Sequence, residues 1–511
     1  MRKSILPGTI VLFAFLFLFP AYSLAAQSED TLENIFKEFS GGETFSIGIQ
    51  DSILMALENN PTLAIQRHEP EIALAAVEVE RAEFDPELNV TTNISKEKVQ
   101  RFLGSSPNPF ALTTDRPQQS IGISETLPTG TTVSASAGIM GSISSLYTDQ
   151  FTGNIDITIS QALLRGFGME SNLASLRKAK IDVEISKAEL KSVAENLISN
   201  IEKAYWNLYL LKEEISIHSD SLALAERQLD ESFERVEVGK LAEIELAAVH
   251  AEVAARRESL IDAYSRYEKA RLNFLYLLNP SGKDMWSMIP LTLDKPFVPD
   301  DSMDPVTVHE QLGLKYRSDL QQARLSLNKG ELDVQQTKNG LLPRLDFFLS
   351  FGKTTYAQSF NDSIPDPQSP YYDMSAGLTF TMPLSNRRAT AKYKQSVKSM
   401  EQMELAVGNM ERLVQLDVRS AYVEAIKSRE MIEATRVTRE LQERNMEAEQ
   451  EKFRVGKSTN YLVLKAQRDF TSSKLEEARV MVEYLNSLID LYLMEGTLLD
   501  RRGIENLARD E

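Results

Sequence analysis

The stretch LDESFERVEVGKLAEIEL, residues 229–246, ends a tract of 70 residues, 169–238, that holds neither glycine nor proline. Charged and aliphatic side chains alternate in a helical rhythm along that tract until Val238-Gly239-Lys240. Glycine supplies the left-handed backbone that a sharp helix reversal requires. The tract therefore predicts a helix of roughly 100 Å at 1.5 Å per residue, a tight turn, and a return helix over residues 241–279. Val193, Leu197, Ile201, Leu208, Ile215, Leu222 and Leu229 recur at spacings of four and seven, a coiled-coil rhythm. The stretch MEAEQEKFRVGKSTNYLV, residues 446–463, does the same again. After Gly408 no breaker occurs before Gly456-Lys457, and none again before Gly496.

Working outward, the two halves are internal repeats. Ala204-Tyr205 and Gly239-Lys240 lie 217 residues before Ala421-Tyr422 and Gly456-Lys457, while Pro86 and Leu88 lie 257 before Pro343 and Leu345. The first repeat thus carries about 40 extra residues between Pro86 and Ala204. Between the helices the apolar period changes to two. Leu88, Val90, Thr92 and Ile94 form one such run; residues 120–127 lead through Pro128-Thr129-Gly130 into Val133, Ala135, Ala137 and Ile139; Ile155, Ile157 and Ile159 form another. A loop with Gly104, Pro107, Pro109 and Pro117 is expected between the first two. The second repeat has Leu345, Phe347, Leu349 and Phe351, then Met374, Ala376, Leu378, Phe380 and Met382. Runs of ~8–11 residues suit tilted strands crossing a bilayer. A soluble sandwich alternates in the same way, but an export signal and loops alternating long with short favour a barrel. Four or six strands per chain are too few to close one, so the barrel must be shared within a closed cyclic oligomer.

Arg2 and Lys3, the apolar residues 5–19 and Ser23-Leu24-Ala25 read as a cleaved signal of residues 1–25. Its loss takes the net charge from −18 to −20, because it removes two cations and no acid. That balance argues against nucleic acid as a partner. Without cysteine there is no disulfide, thiolate metal site or acylated N-terminal Cys. No later apolar run approaches the ~18 residues of a membrane helix, so a mature chain that crosses a membrane does so as a β-barrel. The remaining divisions expected are a first repeat over 26–280, a connector rich in proline over 281–306, a second repeat over 307–498 and a tail over 499–511. Residues 27–44 read as loose. A short helix over 49–57 should end at Asn60-Pro61, with Pro70 starting or kinking the next.

Several motifs resemble the TolC-like outer-membrane factor family. In the first half they are Ala56-Leu57 with Asn60-Pro61, Pro86 before the strand, and Ile159-Ser160-Gln161 leading to Arg165-Gly166. In the second they are Asp319-Leu320 to Pro343-Arg344-Leu345, Gly377-Leu378 to Pro383-Leu384, and Gly496-Thr497-Leu498, with Val238-Gly239 and Val455-Gly456 as the helix-turn signature. Each is weak alone, but together they run in order along nearly the whole mature chain. The resemblance implies a fold mainly α with β, in two internal repeats: long α-helical hairpins forming an α-barrel across the periplasm, plus strands contributing to a shared transmembrane β-barrel. It implies a homotrimer in outer-membrane lipid, served by a periplasmic adaptor (membrane fusion protein) and an inner-membrane pump of the resistance-nodulation-division or ABC type. The function implied is the exit duct of a tripartite efflux or type I secretion system. Family trimers have four strands per subunit; the inserted hairpin here departs from that.

No catalytic constellation, cofactor motif or metal site is legible, and no enzymatic activity is expected. His68, His218, His250 and His309 stand at no ligand spacing, and Arg165-Gly166-Phe167-Gly168 lacks the rest of a phosphate loop. Two features stand out. The resemblance makes the turns an adaptor-docking tip, with Val238, Gly239, Lys240, Val455, Gly456 and Lys457 as contacts and Arg235 and Arg454 beside them. Geometry alone accounts for the glycines. Asp230 and Glu234, matched by Glu447 and Glu451, form i, i+4 acidic pairs just before each turn. Turned inward in a ring they would make cation-selective carboxylate rings at a periplasmic gate; turned outward they are a solvated face or partners for Arg235 and Arg454. Pro86 and Pro343 mark the helix-to-strand transitions. A periplasmic coiled-coil scaffold or adhesin without a pore accounts for the helices, but not for alternating strands between helices in both repeats.

Overall fold

The computed structural model describes residues 44–102, 109–280, 285–298 and 303–504; the signal and nearly all of 27–44 lie outside them. In chain order the elements are β1 (Thr44–Ile47), α1 (Ile49–Asn59), α2 (Pro61–Arg81), β2 (Glu87–Arg101), β3 (Phe110–Leu127), β4 (Thr131–Ser144), β5 (Gln150–Ala162), α3 (Met169–Asn172), α4 (Ala174–Glu237) and α5 (Leu246–Leu278). There follow β6 (Ile289–Thr292), α6 (Val306–Tyr316), α7 (Ser318–Asn339), β7 (Arg344–Ala357), β8 (Tyr371–Thr381), α8 (Arg387–Arg454), α9 (Asn460–Glu495) and α10 (Leu498–Arg501). The repeat is visible in the bounds: α1 and β2 begin 257 residues before α6 and β7, and α4 ends 217 before α8. Pro86 and Pro343 each stand just ahead of a strand, where the missing N–H disrupts no ladder.

Two compact units arise. One gathers the described residues of 1–56, 204–295 and 441–478, and the other those of 57–203, 296–440 and 479–511. In the first, β1 pairs in parallel with β6. Residue 44 closes a stretch that reads as loose, and β6 lies within the proline-rich connector, so the sequence announces neither strand. Four-residue strands give too little pattern to read. The buried Tyr205 ties the pair to α4: its hydroxyl donates to Asp294 Oδ2 at 2.9 Å and accepts from the Asp294 N–H at 3.0 Å. In the second unit, Leu320, Val414, Val418 and Leu491 form a buried apolar cluster.

That unit also holds a six-stranded antiparallel sheet of order β2-β3-β4-β5-β7-β8. Its strands are 11–18 residues long, and all but β8 exceed the expected ~8–11. Pro117 lies inside β3 rather than in a loop. It faces Ile94 of β2, but no β4 partner stands opposite it, because the β3–β4 register skips from Asp115 to Gln118. The proline sits where one ladder is already interrupted.

Two further expectations are adjusted. The 169–238 tract breaks at Leu173, between α3 and α4. Along α4 the predicted apolar seam is buried at Leu197, Ile201 and Leu208, but Ile215, Leu222 and Leu229 are only half-buried. Glu214, Ser221, Gln228 and Ser232 are buried instead. Glu214, Ser221 and Gln228 keep the seven-residue spacing one residue earlier, which is a turn of ~100° about the helix axis. Beyond Leu208 the packed face thus passes from the apolar seam to a polar stripe.

Candidate functional site

Both helix turns have one geometry. At the first, Lys240 N–H donates to Arg235 C=O at 2.8 Å and Gly239 N–H to Val236 C=O at 3.0 Å. At the second, Lys457 N–H donates to Lys452 C=O at 2.7 Å and Gly456 N–H to Phe453 C=O at 3.0 Å. These paired bonds cap the last carbonyls of a helix around a left-handed residue, and Gly239 and Gly456 have φ of 73° and 75°. A Cβ at either would meet nothing within 4 Å, so the demand on glycine is conformational rather than steric. Val238 and Val455 stand 66% and 62% exposed, beside the exposed Lys240 and Lys457. Each tip is an apolar side chain next to a cation.

The flanking arginines differ. Arg454 pairs with Glu451 at 2.8 Å on an open surface, an arrangement worth about 0–1 kcal/mol. Arg235 is half-buried: Nη1 donates to Phe453 C=O at 3.0 Å, and its guanidinium lies 4.0 Å from the Phe453 ring centre. It clamps α4 onto the second turn rather than standing free. Gln228 and Ser232 extend the clamp, donating to Asn460 Oδ1 at 2.9 and 3.2 Å. Sequence reading missed this set, although three polar residues (228, 232, 235) at helical spacing before a turn are a usable signal. Asp230, Glu234, Glu447 and Glu451 are all exposed on the chain. Among the described residues no group of His, Cys, Asp and Glu is arranged to hold a metal.

The sheet has two chemically distinct faces. Residues opposed across successive ladders share a face, and one such row reads Leu88, Ile123, Ala135, Ile157, Phe351, Met374. The adjacent row reads Asn89, Gly122, Ser136, Asp156, Gly352, Asp373. Apolar and polar rows alternate as in a barrel with lipid outside and water inside. Connections also segregate. Pro128-Thr129-Gly130 lies at the helix-bearing end, while residues 145–149 and 358–370 link the strands at the other. Among the described residues the outer strands β2 and β8 each have one unpaired edge, and a long open edge is a template for another chain.

The family model for outer membrane efflux proteins matches residues 53–279 and 311–497. The chain belongs to that family. It is 24% identical over 326 residues to the pyoverdine export outer membrane protein OpmQ of Pseudomonas putida, covering 61% of this chain and 64% of that one. It is 25% identical over 314 residues to the outer membrane protein TolC of Escherichia coli, covering 60% and 62%. The chain thus spans less than two thirds of either relative. Among solved structures, the open state of the Neisseria gonorrhoeae MtrE outer membrane channel superposes with a TM-score of 0.65 at 18% identity, covering 90% of this chain and 91% of that one. The fold of this outer membrane efflux protein is that of the outer-membrane channels, and the protein resides in the outer membrane.

Sequence reading also missed a buried ionic cluster near the chain's end. His309, which stood out in the sequence only for lacking ligand spacing, is 3% exposed and bonds the fully buried Glu495. Glu195 is buried beside Lys191, which also donates to Gly496 C=O at 3.1 Å. Burial pushes the Glu195 carboxyl up from 4.5 to about 7, against the pull of Lys191. The folded chain therefore keeps a proton that the unfolded chain loses. The stability this proton confers is full below pH 4.5 and is lost as pH rises through about 7. Thermal melts should show the wild type losing roughly 3 kcal/mol between about pH 4 and pH 8 from this group, with the slope flattened in Glu195→Gln. An identical pH slope in the variant would assign the effect elsewhere.

Proposed function

We propose that this protein is the exit duct of a tripartite efflux or type I secretion system: a homotrimeric, passive conduit with no chemistry of its own. The observation that carries this reading is the two-faced sheet with both edges open. An even number of antiparallel strands lets β8 of one copy meet β2 of the next antiparallel, so identical copies can close into a ring. Three copies would supply eighteen strands, and barrel diameter grows roughly linearly with strand number. The shared barrel would then be about 1.5 times as wide as one built from four strands per subunit. A coiled-coil scaffold or adhesin would have no use for such a sheet.

Purified protein in planar bilayers should form single channels favouring cations. Glu447→Gln combined with Asp230→Asn should lower that selectivity if the acidic pairs ring the lumen; unchanged reversal potentials would put the acids outside it. Folded oligomers that conduct nothing would sink the duct itself.

The tips are the proposed docking points for a periplasmic adaptor, which with an inner-membrane pump would open the periplasmic end by moving the paired helices outward. Val238, Gly239, Lys240, Val455, Gly456 and Lys457 would make the contacts, and Arg454 stands at their rim. Arg235 is better suited to holding the tip in shape. Gly456→Pro cannot adopt the positive φ and loses the N–H bonded to Phe453. That variant and Val455→Trp should each abolish export while leaving oligomers in the outer membrane. Undiminished export from both would rule out docking at this turn.

A further inference from the structure

A cavity of about 600 Å³ lies where strands hand over to helices, lined by the end of α7, residues 383–386 and the opening turns of α8. Its lining includes four cations, Arg165, Arg387, Arg388 and Lys392, and no acid. None of the four makes an ion pair among the described residues, on a chain whose net charge is −18. Arg165 is half-buried and the other three are exposed.

The rim is built rather than slack. Asn386 holds a φ of 38°, uncommon outside glycine, and its side-chain amide donates to Leu341 C=O at 3.0 Å. Across the rim, Gly166 N–H donates to Asn339 Oδ1 at 2.9 Å. Exposed apolar side chains stand next in sequence to the lining residues Pro383 and Ser385: Phe380, on the same face of β8 as Leu378, then Met382 and Leu384. An apolar face that ends within a few residues of clustered cations matches acyl chains joined to a negative headgroup.

We propose that this cavity binds the phosphate of an anionic phospholipid in the periplasmic leaflet of the outer membrane. The acyl chains lie along Phe380, Met382 and Leu384, and the headgroup phosphate is held by Arg165, Arg387, Arg388 and Lys392. The volume falls in the range of ordinary ligand sites, ~300–1,000 Å³. Guanidinium groups suit the ligand because their forked donors match phosphate oxygens.

The test is native mass spectrometry of the full-length oligomer after exchange into phosphatidylglycerol, phosphatidylethanolamine or inorganic phosphate. Wild type should retain phosphatidylglycerol in preference to phosphatidylethanolamine. A cation beside an anionic lipid surface contributes about fivefold in affinity, so Arg387→Gln/Arg388→Gln/Lys392→Gln should lose on the order of 100-fold. Arg387→Lys/Arg388→Lys, which keeps the charge, should lose far less. Equal retention of the two lipids, or equal retention by wild type and the triple variant, overturns the proposal. So does displacement of phosphatidylglycerol by millimolar inorganic phosphate, which would assign the site to a soluble oxyanion. If the triple variant fails to assemble, the single Arg388→Gln carries the comparison, and undiminished retention there overturns the proposal equally.

Discussion

Ile157→Arg should leave almost no assembled protein in the outer membrane. Ile157 is central in β5, in the apolar row shared with Leu88, Ile123, Ala135, Phe351 and Met374. In a barrel that row faces acyl chains, where an arginine near the midplane costs ~2–4 kcal/mol. In a ring the cost recurs in every subunit. Its neighbour across the pleat supplies the control. Ser136 belongs to the row of Asn89, Gly122, Asp156 and Asp373, so Ser136→Arg should assemble normally and shift selectivity towards anions. Folding into vesicles followed by gel mobility measures the first, and reversal potentials the second. Normal assembly of Ile157→Arg with failure of Ser136→Arg would mean that the faces are inverted.

The alternation behind that prediction is legible from the sequence alone, because a strand's period of two survives any tertiary context. Val133, Ala135, Ala137 and Ile139 announce their face before any partner strand is known. The two turns are legible for a similar reason: Val-Gly-Lys after a long tract free of breakers needs only local geometry. Strand ends are less so. Residues 95–101 and 110–117 carry charges and a proline, yet they pair across one ladder with Ile94 opposite Pro117. Such pairing is decided by the partner strand. The role of Arg235 was hidden likewise, since its acceptor Phe453 lies 218 residues away. The cavity at the strand–helix junction gathers Arg165 with Arg387 from opposite repeats, and no local window contains both. Buried acids did leave a trace. Glu195 and Glu202 are seven apart on the stripe of Ile198 and Ile201, and a charge at a seam position implies a partner without saying where.

For Glu202 the partner is Arg502, and Arg502→Ala should be among the most destabilising single changes in this chain. Glu202 is fully buried, and Arg502 grips it with two bonds, Nε to Oε1 at 2.5 Å and Nη2 to Oε2 at 2.6 Å. The pair fastens the segment after Gly496 to α4, with Leu498 and Leu499 buried beside it. Part of the region expected as a tail is therefore packed. Removing the guanidinium leaves a buried carboxylate without its counter-charge, at a cost of about 3–5 kcal/mol. Two causes of that loss can be separated. If the charge dominates, adding Glu202→Gln to Arg502→Ala recovers much of the stability, and Glu202→Met with Arg502→Met comes close to wild type, as apolar replacements of buried pairs often do. If lost packing dominates, Arg502→Ala and its Glu202→Gln double variant melt together. Thermal unfolding of the four proteins decides between them. The buried setting predicts the first result, because a packing defect would not depend on whether residue 202 carries a charge.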